Sequence, residues 1–354
     1  MDLIASPDSF FDAVGKEYND FRNAGFFCTS PKKALFIYRI EGKKIYTGII
    51  GSNEISDIED HKILGHEHTI TEKEQSMMSL MLLRKAMIKP VLLAYDAHKA
   101  IDDFIRNFVM GHKPFFSIGL VHKNEKHTLW AVDKEEDIEL VRSLFSKHIL
   151  QAYIADGHHR AAITAMLVKK NYLHDNDDDK HPGLLCAFFP FDDLTIFDFN
   201  RVVDITMSET RFIASLSVFF DIQLLDHPQK PERKYQLTMF LHEEWYSLLW
   251  KSEILTVYKD KKVLLDVDLF NNFVLGNILN IENIRSATSV RYIEGVASME
   301  SLISACKYPR TAGFCMYPVS KDDVIHTSDA RGVLPPKSTW FEPRMKNGLV
   351  IKEF

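Results

Sequence analysis

The chain has 354 residues, a formal net charge of −6 and 46% hydrophobic residues, which predicts a globular protein of two domains or one large one. The acidic balance argues against a duplex-binding role, because recruitment of nucleic acid would need a local basic patch. The four cysteines are scattered without a C-x-x-C pair, and no apolar run reaches the ~20 residues that span a bilayer, so we expect a cytoplasmic protein with reduced thiols.

Helix and strand patterns alternate from the N-terminus onward. Apolar spacing predicts an amphipathic helix at 8–25, and two runs rich in β-formers around a glycine predict a hairpin after it. A polar stretch at 51–65 is expected to be a surface loop. Capping-box spacing from Thr71 to Glu74 then predicts a long helix that ends near Lys89.

Three ionisable residues, His66, Glu67 and His68, stand just before the start of this helix. A loop on a rigid scaffold can aim such groups at a ligand. Imidazoles and carboxylates also suit zinc, iron or manganese, so a metal site is one alternative. The spacing differs from the H-E-x-x-H signature, which makes that alternative the weaker one.

The next hundred residues continue the alternation of strands and helices. The pattern predicts a buried strand, a helix, a pair of strands and a second helix, at 90–95, 97–110, 111–130 and 135–148 respectively. Helices that alternate with strands indicate an α/β or α+β domain.

The segment from Leu150 to Leu167 carries the strongest functional signal. A β-rich run ends at Asp156-Gly157, and helical spacing follows, which predicts strand, tight turn and helix, with Asp156 as N-cap. The basic triplet His158, His159, Arg160 falls in the first helical turn, where free N–H groups and the macrodipole favour an anion. The sequence therefore predicts a phosphate site, against the alternative that Asp156 only caps the helix and the basic residues are solvated.

The second half of the chain has weaker patterns, and the acidic run at 175–179 is expected to be a solvated loop. Strands are predicted at 184–189, around Ile293 and at 314–317. Apolar spacing predicts helices at 207–220, 237–250, 269–279 and 299–308. A polar turn between two apolar runs predicts a hairpin at 254–267.

Lys337, Ser338 and Thr339 follow two prolines near the C-terminus. They resemble the end of a P-loop, but the glycine cradle is absent, so the P-loop interpretation is rejected. A stiff segment with one lysine and two hydroxyls could still bind phosphate. The alternative, slightly favoured, is an extended segment whose Trp340 and Phe341 pack on the core.

Phosphoryl transfer is the chemistry that fits these residues best. It needs an anion cradle, positive charge, usually Mg²⁺, and a base for the accepting hydroxyl. The helix start after Gly157 could supply the cradle and the charge, and Asp156 could hold the metal or its water. Glu67 is the candidate base.

The motifs, taken together, resemble the bacterial "domain of unknown function 1015" family over nearly the whole chain. They are Gly48-Ile-Ile-Gly51, His66-Glu67-x-Thr69-x3-Lys73-Glu74, Tyr153-Ile-Ala-Asp-Gly-His-His-Arg160, Asn200-Arg201 and Pro335-Pro-Lys-Ser-Thr-Trp-Phe341 with Gly348-Leu349. More distantly, the order of these motifs resembles the ParB and sulfiredoxin-like fold, and in particular the archaeal free-serine kinases.

That resemblance implies a nucleotide site, ATP or ADP with Mg²⁺, at the turn from Asp156 to Arg160, and Glu67 as the base on a serine hydroxyl. It further implies supporting residues for the nucleotide, the acceptor and the metal. The residues at the nucleotide are Gly157, His158, His159, Lys337, Ser338 and Thr339. His66 and Thr69 are expected at the acceptor, and Asp156 at the metal.

We expect an α+β (mixed α/β) protein with a ParB/sulfiredoxin-like catalytic domain at 1–203, which carries an insertion at about 91–150. A second α+β domain at 204–354 is expected to return to the site through 331–341. The predicted function is a Mg²⁺-dependent kinase of a small hydroxyl compound, with L-serine the most specific candidate. The alternatives are a ParB-like nucleotide-binding regulator and a metal-dependent hydrolase; a homodimer is left open.

Overall fold

The computed structural model describes residues 7–30, 32–67, 71–173, 183–284 and 287–354. Its helices, in chain order, are α1 (Pro7–Asn23), α2 (Ser56–Glu59), α3 (Thr71–Arg84), α4 (Lys99–Gly111), α5 (Glu135–His148), α6 (His158–Lys169), α7 (Glu209–Leu216), α8 (Ser252–Thr256), α9 (Asp266–Leu269), α10 (Met299–Ala305) and α11 (Lys321–Asp329). A π-helical stretch, Phe270–Ile278, continues α9. Within the described residues, every helix is too short or too polar to cross a bilayer.

The strands occur throughout the described chain and confirm the predicted mixed α/β class. In chain order they are β1 (Leu35–Glu41), β2 (Ile45–Asn53), β3 (Ile63–Leu64), β4 (Ala86–Met87), β5 (Val91–Tyr95), β6 (Phe116–Leu120), β7 (Glu125–Val132), β8 (Ala152–Asp156), β9 (Leu184–Pro190), β10 (Thr195–Phe197), β11 (Phe199–Asp204), β12 (Phe220–Leu225), β13 (Gln236–Leu241), β14 (Glu244–Trp250), β15 (Val290–Glu294), β16 (Thr311–Cys315), β17 (Trp340–Glu342) and β18 (Lys352–Glu353).

The chain divides into two compact units. The first consists of Met1–Thr195 and Pro343–Phe354, and the second of Ile196–Glu342. The expected boundary at residue 203 falls inside β11, which pairs with β15 and β16 of the second unit. The segment 331–341 belongs to the second unit, whereas the last twelve residues return to the first.

The first unit is built on an eight-stranded sheet in the order β3-β8-β5-β9-β2-β1-β7-β6. β3 runs parallel to β8 and β5 parallel to β9, and the other neighbours are antiparallel. The predicted insertion at 91–150 supplies three of these strands together with α4 and α5, whose apolar side chains pack with Ile37 and Trp130 in one core. Every residue of β5 is buried, which explains its unbroken apolar run.

Two predicted boundaries in the first unit need correction. The helix expected to reach Lys89 ends at Arg84, because Lys85 takes a φ of 48°, the left-handed conformation that terminates helices. The chain then enters β4, which pairs with β18 at the C-terminus. The expected loop at 51–65 contains α2 and β3.

The second unit has a six-stranded antiparallel sheet in the order β12-β14-β13-β16-β11-β15. The helix predicted at 237–250 is wrong, since these residues form the β13–β14 hairpin, which turns at His242 and Glu243 with φ of 50° and 64°. β13 is almost wholly buried and therefore lacks the alternation that identifies a strand. The hairpin predicted at 254–267 is also wrong, because the first residues of this segment belong to helix α8.

Candidate functional site

The strand, turn and helix predicted around Asp156 are confirmed. Asp156 is the last residue of β8, and Gly157, with a φ of 106°, is the N-cap of α6, so the predicted N-cap role of Asp156 is wrong. A Cβ on Gly157 would lie 2.5 Å from Arg160 Nη2. Glycine therefore serves two needs here, because it accepts the left-handed conformation and lets the guanidinium fold back over the turn.

The Asp156 carboxylate binds three cationic side chains. Arg160 Nη2 donates to Oδ2 at 2.8 Å, Lys89 Nζ lies 3.4 Å from the same oxygen, and Arg344 Nη1 donates to Oδ1. All four side chains are partly buried, with exposures between 15% and 27%. We refer to Lys89, Asp156, Arg160 and Arg344 as the Asp156 cluster.

The Asp156 cluster carries an excess of positive charge. Burial alone would raise the pKa of the Asp156 carboxyl, but Arg160, Arg344 and Lys89 outweigh burial and hold that pKa far below its usual range. Burial lowers the pKa of Lys89, and the two guanidinium groups add to this effect while Asp156 opposes it. The four side chains of the cluster together carry a formal charge of +2 beside the first-turn amides of α6, which favours an anion.

Arg160 adds a donor that the described residues leave unsatisfied. Its Nε atom is buried and, among the described residues, has no hydrogen-bond partner. A buried N–H without an acceptor is costly and is normally satisfied by protein, water or ligand. The Asp156 cluster can therefore donate further hydrogen bonds to an anion.

A second group of ionisable residues, His66, Glu67 and His158, adjoins the start of α6. The backbone N–H of His66 donates to His158 Nε2 at 3.2 Å, and the two imidazole centroids lie 4.6 Å apart. Burial lowers the pKa of His66 to about 4 and that of His158 well below its usual value, so both rings are neutral at pH 7. We refer to these three residues as the His–Glu group.

The tautomer of His158 follows from this hydrogen bond. A neutral imidazole that accepts at Nε2 carries its proton on Nδ1. His158 Nδ1 lies 3.4 Å from Glu67 Oε2, so its N–H faces the carboxylate. The sequence predicts His158 as a phosphate contact; in the structure its ring is buried and its Nδ1 lies beside Glu67.

The His–Glu group also has side chains that could hold a metal ion. Its potential ligand atoms lie within 4.8 Å of one another, and two imidazoles with a carboxylate suit zinc or iron. A metal on His158 Nδ1 would require the proton to move to Nε2, where it would oppose the N–H of His66. The observed hydrogen bond therefore favours an oriented carboxylate over a metal centre.

The predicted role of Asp156 as a Mg²⁺ ligand does not fit this arrangement. Both carboxylate oxygens are contacted by cationic side chains, and three positive charges surround the carboxylate. Mg²⁺ requires oxygen ligands in octahedral geometry and is repelled by such a field. Asp156 instead organises the cations.

The remaining predicted site residues lie in three places. Thr69 and His68 lie outside the described residues, and His159 is partly buried in the first turn of α6. Lys337, Ser338 and Thr339 belong to the second unit.

Two contacts tie the 337–339 segment into the second unit. Ser338 is buried and its hydroxyl donates to the Pro335 carbonyl at 2.6 Å, while Arg201 Nη2 donates to the Lys337 carbonyl at 3.1 Å. Trp340 packs edge-on against Phe199 at 5.7 Å. These contacts favour the alternative in which this segment packs on the core. The phosphate role of Lys337, Ser338 and Thr339 stays a prediction.

Sequence reasoning missed Lys89 and Arg344. Lys89 precedes β5, which runs antiparallel to β8, so the start of β5 adjoins the end of β8 at Asp156. Arg344 arrives from 188 residues further along the chain. The Lys-Pro pair before a buried strand was the available signal for Lys89, but its meaning depends on the strand order.

Comparison with known proteins identifies one family model, described as "Protein of unknown function (DUF1015)", which matches residues 4–269. No curated protein matches the sequence. Similar solved structures include SbnI with a C-terminal truncation from Staphylococcus aureus, at 11% identity and a TM-score of 0.44, covering 84% of this chain and 85% of that chain. A mutant free serine kinase in complex with ADP has 14% sequence identity and a TM-score of 0.39, and the match covers 87% of this chain and 94% of that chain. A conserved hypothetical protein from Pyrococcus furiosus has 13% sequence identity and a TM-score of 0.37, and the match covers 86% of this chain and 96% of that chain.

Proposed function

The chain belongs to the DUF1015 family, and from the geometry of its Asp156 cluster we propose that it is a nucleotide-dependent phosphotransferase acting on a small hydroxyl compound. Free L-serine is the leading acceptor. One observation carries the proposal: a partly buried cluster with a charge of about +2 stands at a helix start next to a carboxylate oriented by a neutral histidine. Phosphoryl transfer needs these elements, because catalysis there is mostly positioning and charge stabilisation.

The nucleotide phosphates are assigned to the start of α6. Gly157 exposes the first-turn amides of His158, His159 and Arg160, which a helix cannot satisfy by itself. The guanidinium of Arg160, with its unsatisfied Nε, and the ammonium of Lys89 supply charge-assisted hydrogen bonds. The phosphate donor in this assignment is ATP or ADP, and the product is ADP or AMP respectively.

Glu67 is assigned as the base that takes the proton of the accepting hydroxyl. Its side chain is 36% exposed, so a small substrate can reach it, while His158 Nδ1–H holds one of its oxygens. His66 supports this arrangement through its backbone N–H rather than by contacting the acceptor. Thr69 remains the proposed acceptor contact.

Mg²⁺ is assigned to the nucleotide and not to Asp156. When bound to phosphate oxygens, Mg²⁺ neutralises part of the charge that develops during transfer. Lys89, Arg160 and the amides of α6 then orient the phosphates toward the hydroxyl that faces Glu67.

A coupled assay with a panel of nucleotides and hydroxy amino acids tests the proposal. We expect Glu67→Gln to lower kcat by about 10²- to 10⁴-fold, because it removes a general base, while the nucleotide Kd stays unchanged. Glu54→Gln, a change at an exposed carboxylate in the same unit, is the control and should keep wild-type turnover. Absence of any phosphorylated product, together with no nucleotide-induced rise in Tm, would overturn the function. Full activity of Glu67→Gln would overturn the base assignment alone.

A further inference from the structure

The last twelve residues, 343–354, form a strap that docks on the first unit. The Gly348 N–H donates to the Ile88 carbonyl at 2.7 Å, and the Phe354 N–H donates to the Lys85 carbonyl at 2.9 Å. Between these bonds, β18 pairs antiparallel with β4. The strap is therefore held along the segment that leads directly to Lys89.

Side chains secure the strap at both ends. Glu353 accepts hydrogen bonds from the Tyr18 hydroxyl at 3.1 Å and from Arg22 Nη2 at 2.9 Å. Lys346 Nζ lies 2.6 Å from Glu125 Oε2. These contacts fix the register of the strap, and that register places Arg344 on Asp156.

Among the described residues, Asp156 has more cationic partners than a structural ion pair requires. Asp156 already has Arg160 as a partner four residues along the chain and Lys89 as a second cation. A third cation in a partly buried place adds repulsion between like charges, which solvent screens incompletely. Such an excess is relieved when an anion with more than one negative charge binds.

We propose that Arg344 is a phosphate ligand of the nucleotide site and that docking of the strap completes this site. The inference rests on the proposed function and adds the third cation to it. A guanidinium can donate two parallel hydrogen bonds to phosphate oxygens as well as to a carboxylate, so the side chain that contacts Asp156 is also suited to a phosphate. Asp156 holds Arg344 in position for the incoming phosphate.

Calorimetric titration with inorganic pyrophosphate and with ADP tests this role. We expect Arg344→Gln to weaken both Kd values about tenfold to a hundredfold, the usual effect of losing hydrogen bonds to a charged group. Arg344→Lys keeps the charge but loses the two-pronged geometry, so its Kd values should fall between those of the wild type and Arg344→Gln. Lys352→Gln, on the same strap but in β18, is the matched control and should bind as the wild type does.

The outcomes separate the two claims. If the wild-type protein binds neither pyrophosphate nor ADP, the proposed function fails and the inference falls with it. If the wild type binds both and Arg344→Gln binds them equally well, only the role of Arg344 is wrong. A rise in Kd shared equally by Lys352→Gln would show that the strap acts by general stabilisation, and it would also overturn the inference.

Discussion

Two aspartate–arginine pairs in this protein have similar spacing and opposite surroundings. Asp156 and Arg160 in the first unit are 18% and 15% exposed, whereas Asp198 and Arg201 in the second unit are 3% and 1% exposed. The first pair has two further cations on its carboxylate. Sequence spacing alone does not distinguish the two pairs, but their charge balance and burial do.

The pair in the second unit is closed and balanced. Besides lying 3.4 Å from Asp198 Oδ1, Arg201 donates to the carbonyls of Phe199 at 2.6 Å and Lys337 at 3.1 Å, and it lies over the rings of Phe270 and Tyr292. Two of its donor nitrogens serve the backbone, so the pair supports the fold, although its Nε, like Arg160 Nε, is buried without a hydrogen-bond partner among the described residues. The Asp156 cluster differs from this pair in its greater exposure and in the three cations on its carboxylate.

The largest expected effect is on stability in the second unit. Arg201→Met removes the partner of a buried carboxylate and should lower the free energy of unfolding by about 3–5 kcal/mol. Denaturant melts followed by circular dichroism measure this change.

Arg160→Met is the matched control for that measurement. Asp156 keeps Lys89 and Arg344, so the loss of stability should be much smaller than for Arg201→Met. Equal losses in the two variants would show that the Asp156 cluster is also a structural ion pair, and the contrast between the two pairs would disappear.

A smaller effect concerns the dependence of stability on pH. Burial raises the pKa of Asp266, a buried carboxyl of the second unit, to about 7 in the folded state, against about 3.8 unfolded. The folded protein thus keeps a proton that the unfolded chain releases, so the contribution of this carboxyl to stability should fall as pH rises from about 4 to about 7, by up to about 1.4 kcal/mol per pH unit. The lowered pKa values of buried His66 and His158 act in the opposite direction, and the net slope is the sum of these contributions. Asp266→Asn removes the falling contribution and should make the slope of stability against pH less negative.

Asp156→Asn supplies the opposite case. The pKa of Asp156 is lowered in the folded state, so its contribution to stability is present above about pH 4 and is lost only as the pH falls below that. The slope between pH 4 and 7 should therefore survive in Asp156→Asn. An unchanged slope in Asp266→Asn would contradict the raised pKa of Asp266.

The parts of the fold that local sequence predicts are the parts set by neighbouring residues. The abrupt change from a β-rich run to helical spacing at Asp156-Gly157 locates the turn, and the basic residues after it predict an anion site there. Glu67 is a candidate because ionisable residues cluster before a helix start. These signals need only a few consecutive residues.

The rest depends on contacts between distant residues. The neighbours of Asp156 include Lys89, placed by strand order, and Arg344, placed by the returning strap. The tautomer of His158 depends on a backbone N–H 92 residues away. The sequence predicts a helix at 237–250 in place of the β13–β14 hairpin, because burial of β13 removes the alternation that identifies a strand.

Titration of inorganic pyrophosphate into the wild type and Arg160→Met, repeated at low and high salt, tests the central claim most directly. We expect saturable one-to-one binding to the wild type that weakens as salt rises, and a Kd about tenfold to a hundredfold higher for Arg160→Met. Equal affinity in the two proteins, or no binding to the wild type, would contradict the assignment of the Asp156 cluster as a phosphate site.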